Sequence, residues 1–172
     1  MKPLGIQFVA ASGRQYPNLK RMFQPVWRDM YFIAENGGVV VHQDQVVSKA
    51  VIPEAAVKEL AGELYQSELC DVVLSGIHSV YMQPKPASSE YVDYVLYKVK
   101  NTVTLVDDIT SVPDEIVKIS ALVHGGKSAE LYGMGDKKWM KRFQVAISGR
   151  EWVDFTLASK GEAIVRLQEE LG

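Results

Sequence analysis

Residues 6–14 read Ile-Gln-Phe-Val-Ala-Ala-Ser-Gly-Arg, an apolar run of strand length that ends in a small, polar tip. A buried strand carrying Ser12 at its carboxyl end would present a hydroxyl and fresh backbone N–H groups where open α/β sheets bind ligands. Gly13 would let the backbone approach an anion, and the N–H groups beyond it can face a phosphate. The stretch therefore predicts an α/β fold with a ligand site after its first strand.

Residues 31–38 repeat this design further along the chain. They read Tyr-Phe-Ile-Ala-Glu-Asn-Gly-Gly, a second strand-like run with a polar, glycine-rich end. Either end alone also fits an ordinary strand-to-loop turn. Two such ends this close in sequence predict a shared sheet edge over a pocket, with Arg14, Asn36 and Gly37 lining that edge beside Ser12.

Hydrophobic periodicity and turn residues predict alternating strands and helices along the rest of the chain. Predicted strands cover 72–74, 79–82 and 116–123, and two predicted hairpins pair 39–42 with 46–51 and 144–148 with 152–157. Predicted helices cover 16–23, the residues from Pro53 onward, a segment capped by Ser88-Ser-Glu90, part of 129–143, and 160–172, the last with Ala163, Ile164, Leu167 and Leu171 on one face.

The two strand ends, followed by a hairpin and a helix that begins with proline, resemble the Cof-type branch of the haloacid dehalogenase-like (HAD) phosphatases. The resemblance extends from Lys2 to Gly172, and it includes Pro-Asp-Glu-Ile-Val-Lys-Ile-Ser at 113–120, Trp-Val-Asp-Phe at 152–155 and Lys-Gly at 160–161. It implies an α/β fold in which a partial doubly wound HAD-like core carries a mixed α/β cap domain.

The same resemblance implies a division of the chain into three segments. Residues 1–52 would form part of the core, residues 53–150 the cap domain, and residues 151–172 a return to the core with one strand and the final helix. A core built in this way has unpaired sheet edges and an apolar face without its usual cover. Both features favour association between copies of the chain.

Two residues match catalytic motifs of the family. Ser12 matches the serine of the second motif, which binds the substrate phosphate, and Lys160 matches the lysine of the third motif. Residues 76–81 resemble the part of the cap that faces the active site and helps to choose the substrate. The further candidates for binding phosphate or substrate are Gly13, Arg14, Asn36, Gly37 and, within 76–81, His78.

The motifs that carry the family's nucleophile and metal ligands do not occur in the sequence. The nucleophile belongs to Asp-x-Asp-Gly-Thr before the first strand, and Gly-Asp-x-x-x-Asp after the final helix completes the magnesium site; neither motif is found. The resemblance thus implies Mg²⁺ as cofactor while its ligands are absent, as in an enzyme truncated at both ends of its catalytic core. Phosphoryl transfer relies on an oriented nucleophile and on metal charge, so it stays open whether this chain is itself an enzyme.

Three functions of different classes remain open at this point. The first is a fragment of a magnesium-dependent phosphatase of small phosphorylated metabolites, which would be inactive alone. The second is a non-catalytic module that binds a ligand or partner through the cap. The third alternative is a relic, or a misjudged reading frame, with no function of its own.

Composition and charge narrow the class of protein and its expected location. Apolar residues make up 47% and charged residues 23%, as in globular proteins. The net charge is −2 and the Lys and Arg residues are dispersed, so the sequence lacks the basic cluster that is typical of nucleic-acid-binding proteins and we expect no nucleic-acid partner. The single cysteine, Cys70, rules out an internal disulfide framework. No apolar run reaches the roughly 18 residues of a membrane span and no signal sequence opens the chain, so we expect a cytoplasmic protein without membrane contact.

Overall fold

The computed structural model describes residues 5–86, 89–134 and 137–172. It divides the chain into two units, Met1–Ala50 with Ala158–Gly172, and Val51–Leu157. The predicted return to the first segment at residue 151 differs from this division, because the strand at 152–156 pairs within the sheet of the second unit. Ile52 also belongs to the second unit, where its N–H donates to the Ile116 carbonyl at 2.8 Å.

The strands are β1 (Phe8–Ala11), β2 (Met30–Ala34), β3 (Val39–His42), β4 (Gln45–Lys49), β5 (Cys70–Gly76), β6 (Val80–Met82), β7 (Val103–Leu105), β8 (Ile116–Val123), β9 (Gln144–Ile147) and β10 (Trp152–Thr156). The α-helices are α1 (Tyr16–Met22), α2 (Glu54–Gln66), α3 (Ser89–Asp93), α4 (Ser128–Met134), α5 (Lys137–Arg142) and α6 (Lys160–Leu171). A π-helical segment, Tyr94–Val99, continues α3, and short 3-10 turns cover Trp27–Asp29, Glu35–Gly37 and His124–Gly126. The predicted capping residue Ser88 lies outside the described residues.

The first unit is built on a four-stranded sheet in the order β1-β2-β3-β4. Strands β1 and β2 pair in parallel, so their carboxyl ends lie at one edge of the sheet, as predicted. The other neighbouring strands are antiparallel. A two-residue turn joins β3 to β4, with φ of 50° at Gln43 and 66° at Asp44. Such left-handed values suit the right-handed twist of a hairpin.

Helix α6 packs on the sheet of the first unit through a narrower face than the sequence predicts. Ala163 and Leu167 are buried against Ile33 and Val40. Ile164 and Leu171, which were expected on the same buried face, are 41% and 49% exposed.

Strand β1 is more exposed than expected of a buried strand. Phe8 and Val9 point to opposite faces, as successive strand residues do, and they are 43% and 39% exposed. The prediction of burial is wrong because β1 is the edge strand of its sheet, with β2 as its one strand partner in the part of the chain that the structure describes.

The second unit contains a six-stranded sheet in the order β7-β6-β5-β8-β10-β9. Its central strands β5 and β8 are buried along their whole length. Apolar side chains of α2 cover one face, where Leu60 joins the cluster that contains Leu74 and Ile119. On the other face Val92 and Val95 cluster with Val73 and Leu122. Strand β7 was not predicted; it pairs parallel to β6.

Candidate functional site

The tip after β1 continues the parallel ladder and then turns away from it. The Ser12 N–H donates to the Ile33 carbonyl at 2.8 Å, so Ser12 stands at the carboxyl end of the β1–β2 pair. Its hydroxyl oxygen accepts the N–H of Arg14 at 3.2 Å. That contact orders the first residues of the tip and leaves the hydroxyl proton available for another acceptor.

The tip after β2 is a left-handed turn that Asn and Gly favour. Asn36 has φ 59° and ψ 20°, and Gly37 has φ 105°. The Gly38 N–H closes the turn by donating to the Glu35 carbonyl at 3.0 Å. These angles approach a type I′ turn, for which Asn-Gly is a preferred pair.

The two tips are joined through their main chains. The Asn36 N–H donates to the Ser12 carbonyl and the Glu35 N–H donates to the Arg14 carbonyl, both at 3.1 Å. A Cβ on Gly13 would lie 2.8 Å from Oδ1 of Asn36. Gly13 therefore makes room for the Asn36 side chain, a reason that differs from the close anion approach expected from the sequence.

The third tip is the start of α6. Its first residue, Lys160, follows Ser159, whose hydroxyl accepts the Glu162 N–H at 3.1 Å while the Ser159 N–H donates to the Glu162 carboxylate at 2.6 Å. This reciprocal capping box fixes where the helix begins. A Cβ on Gly37 would lie 2.3 Å from the Ser159 carbonyl oxygen and 3.0 Å from the Lys160 nitrogen. Only glycine fits there, because backbone atoms cannot move aside.

The structure thus brings together every predicted site residue of the first unit. Arg14 and Lys160 are exposed and Ser12 is half-buried, while Gly37 is buried between the turn and the helix start. The residues that meet at this end of the sheet are Ser12, Gly13, Arg14, Asn36, Gly37 and Lys160.

One further residue reaches the same tip and was missed in the sequence. Arg166 of α6 donates from Nη2 to the Gly37 carbonyl at 3.3 Å. The available signal was its spacing, since an arginine three residues after Ala163 lies toward the buried side of the helix.

His78, the predicted candidate in the second unit, contacts the buried carboxylate of Asp114. Its main-chain N–H and Nδ1 contact the Asp114 oxygens at 2.9 and 3.0 Å. The Asp114 side chain is 1% exposed, whereas that of His78 is 81% exposed. Asp114 also accepts from the Glu115 N–H at 2.8 Å and from the Tyr81 hydroxyl at 3.1 Å. A Cβ on Gly76 would lie 2.2 Å from Asp114 Oδ2, so glycine admits the carboxylate.

Asp114 was not predicted, and its environment favours the ionised form. Burial alone would raise the pKa of the carboxyl, but the hydrogen bonds from His78, Glu115 and Tyr81 outweigh burial and lower the pKa below its ordinary value. Because an ionised carboxylate is an acceptor only, the imidazole Nδ1 carries the proton and Nε2 is the nitrogen that can face a ligand.

Magnesium, which the resemblance implies, finds no fitting donor set in the described part of the chain. Among residues 5–86, 89–134 and 137–172, no group of three His, Cys, Asp or Glu side chains is placed to hold a metal ion. The same residues include no helix that is both long and apolar enough to cross a membrane.

A parallel strand pair with joined tips, linked in sequence to a second α/β unit, defines a class of α/β proteins with a core and an inserted domain. The haloacid dehalogenase-like hydrolase family matches this chain over residues 1–172. The chain belongs to that family, which confirms the resemblance to its Cof-type phosphatases and a fold of HAD-like core with mixed α/β cap.

Three relatives illustrate the match. Over 85 residues the chain is 33% identical to the 5-amino-6-(5-phospho-D-ribitylamino)uracil phosphatase YbjI of Escherichia coli K12, covering 49% of this chain and 31% of YbjI. The crystal structure of a protein from Eubacterium rectale aligns with a TM-score of 0.85 and 22% sequence identity, and the alignment covers 99% of this chain and 65% of that protein. The HAD subclass IIB sugar phosphatase BT4131 aligns with a TM-score of 0.74 and 16% identity, and the alignment covers 99% of this chain and 65% of BT4131. The chain thus spans less than two thirds of the length of each of these three.

Proposed function

We propose that the first unit carries the phosphate-binding part of a Cof-type HAD phosphatase and that the second unit is its cap domain. The observation that carries this proposal is the convergence of three tips, at Ser12, at Asn36-Gly37 and at Lys160, through main-chain contacts. These residues lie at the carboxyl end of a parallel strand pair, which is where open α/β sheets bind ligands.

Each member of the proposed site supplies a different contact. The Ser12 hydroxyl donates its proton to a phosphate oxygen while its own oxygen accepts the Arg14 N–H. The first amides of α6 and the ammonium of Lys160 add positive potential, as helix N-termini do toward anions. Arg14 adds a second exposed cation.

For substrate class we propose a small phosphorylated metabolite, with a phosphorylated sugar or sugar alcohol favoured. The support comes from the printed names of relatives, since YbjI acts on a phospho-ribityl compound and BT4131 is called a sugar phosphatase. His78 keeps its predicted role in substrate choice, and the buried Asp114 beneath it would hold the imidazole in one orientation.

Phosphate binding tests the site directly. We expect inorganic phosphate to shift the amide NMR signals of Ser12, Gly13 and Arg14 with a millimolar Kd, about −4 kcal/mol. Ser12→Ala and Lys160→Met should each weaken binding several-fold, whereas the control Lys58→Met, an exposed lysine of α2, should not. Signals that stay fixed at tens of millimolar phosphate in a folded chain would overturn the proposal.

We further propose that the 172-residue polypeptide does not hydrolyse phosphate esters by itself. The nucleophile motif is absent from its sequence, and its described residues offer no three-ligand metal site. Turnover of p-nitrophenyl phosphate should equal that of buffer with or without Mg²⁺. Magnesium-dependent turnover that Ser12→Ala abolishes would contradict this expectation. The same absences favour the second candidate function, a non-catalytic phosphate-binding module, which predicts phosphate binding without turnover.

Self-association through β1 remains a proposal, with a second copy of the chain as the partner. Phe8 and Val9 leave apolar surface on both faces of this edge strand. Edges of this kind promote strand pairing between molecules. Val9→Lys should shift sedimentation velocity profiles toward the monomer, and Ile147→Lys, on the edge strand β9 of the other sheet, is the matched control. Equal profiles for all three chains would exclude β1 as the contact.

A further inference from the structure

Helix α6 contacts the Asn36-Gly37 turn at two places. At the helix start, the backbone of Ser159 and Lys160 lies against the α-carbon of Gly37. Six residues later, Arg166 donates from Nη2 to the carbonyl of Gly37 at 3.3 Å. The same turn is therefore held by the first turn of the helix and by a guanidinium from its second turn.

The turn itself has a conformation that needs outside support. Glu35, Asn36 and Gly37 have φ of 48°, 59° and 105°, three consecutive left-handed residues. Left-handed backbone at a residue such as Glu35 costs free energy and persists only where the surroundings over-determine it. The contact with the Gly37 carbonyl is one such constraint.

Arg166 would lower the stability of the first unit if its role were only to pack α6 on the sheet. Its Nε is buried and, among the described residues, has no acceptor. A buried donor without a partner lowers stability. Ala163 and Leu167 already supply the apolar contact of α6 with the sheet. Polar groups that oppose stability in this way are expected where a site must be held in place.

We propose that Arg166 is a positioning residue of the phosphate site, which keeps the Asn36-Gly37 turn against the first residue of α6. The inference rests on the proposed function for its consequence in phosphate binding. Its structural part, the dependence of the turn on the guanidinium, can be measured separately.

The test compares Arg166→Met and Arg166→Lys with Gln168→Ala, an exposed control on the same helix. Arg166→Met should move the amide NMR signals of Gly37 and Lys160 and weaken phosphate binding about fivefold, the effect of one typical hydrogen bond. Its urea unfolding midpoint should stay the same or rise, because the buried Nε is removed. Arg166→Lys keeps a donor and should recover much of both losses.

Three results would overturn the inference. Unchanged Gly37 and Lys160 signals in Arg166→Met would show that the turn does not depend on the guanidinium. A fall in the unfolding midpoint that parallels the loss of affinity would assign a merely structural role. Recovery of affinity in Arg166→Lys without recovery of the Gly37 signal would show that charge alone matters. If the parent chain binds no phosphate, the phosphate site fails, while the Gly37 and Lys160 signals still decide the positioning role.

Discussion

The two units hold their polar groups in place by different means. In the first unit the three tips meet through main-chain atoms, with carbonyls of Ser12 and Ser159 against the turn at Asn36-Gly37. In the second unit, carboxylates inside or beside the sheet serve as acceptors, as Asp114 does for His78 and Asp154 for two serine hydroxyls.

This difference predicts different vulnerabilities. Main-chain contacts carry no titratable group, but they leave no space for an added Cβ. Buried carboxylates add a dependence on charge, because they lose acceptor strength when protonated. The tips of the first unit should therefore be sensitive to side-chain size at Gly37. The second unit should in addition be sensitive to removal of negative charge at Asp114 and Asp154.

The largest effect is expected from Gly37→Ala. The new Cβ would lie 2.3 Å from the Ser159 carbonyl oxygen in a residue with φ 105°. We expect about 4 kcal/mol of lost stability in the first unit, followed by urea denaturation with amide signals of that unit. Gly125→Ala is the control, since φ there is 66° but no atom lies within 4 Å of its Cβ position. Its cost should be that of left-handed backbone alone, about 1 kcal/mol. Similar losses in both variants would remove close approach as the cause.

The matching change in the second unit is Asp154→Asn. The Asp154 carboxylate is buried and accepts the hydroxyls of Ser120 and Ser148, each at 2.6 Å. An amide cannot accept both hydroxyls through equivalent oxygens, so we expect a loss of about 2–3 kcal/mol in denaturant unfolding of this unit. The exposed Asp93→Asn should change stability by less than about 0.5 kcal/mol. A loss in Asp154→Asn no larger than in this control would mean that the buried carboxylate is not the acceptor that matters.

Asp114→Asn should give a smaller loss that depends on pH. The folded-state pKa of Asp114 lies below the ordinary value of 3.8, so its contribution to stability is present above that value and is lost as the pH falls through the folded pKa. At neutral pH we expect a cost of about 1–2 kcal/mol. The difference between the variant and the parent chain should begin to shrink as the pH falls below 3.8, and its charge-dependent part should be lost only below the lower, folded-state pKa. A stability difference that stays constant down to pH 3 would contradict the role of charge.

The smallest effect is expected from Ser159→Ala. This change removes the side-chain acceptor of the capping box and leaves the contact of the Ser159 carbonyl with Gly37 in place. We expect a loss of about 1 kcal/mol, typical of an N-cap, with little movement of the Gly37 amide signal. Ser67→Ala, whose hydroxyl accepts the Leu69 N–H after α2, is a comparable change outside the tips. A Gly37 shift as large as that in Gly37→Ala would show that the side chain, and not the main chain, holds the tip.

The local sequence pattern predicted many of the strands and helices, and it predicted the polar, glycine-rich ends of the first two strands. The segment 116–123 predicted β8 with its bounds, because a mainly apolar stretch of that length with β-branched residues at 116, 117, 119 and 123 is typical of a strand. Asn36 and Gly37 marked the polar, glycine-rich end of the second strand, and the structure has a turn there in which both residues have positive φ. The resemblance on Ser12 and Lys160 selected two positions that the structure places at one sheet end.

Tertiary structure alone decided which distant groups meet. The pairing of His78 with Asp114 spans 36 residues, and that of Arg166 with Gly37 spans 129. Neither pairing has a local signature, because contacts between such distant residues depend on how strands are ordered in a sheet. The same holds for the exposure of β1 and for β10. The resemblance implied a return to the core from residue 151, whereas β10 pairs with β8 and β9 in the sheet of the second unit. A strand's own residues predict that it is a strand, but its neighbours determine which sheet it joins and which faces are covered.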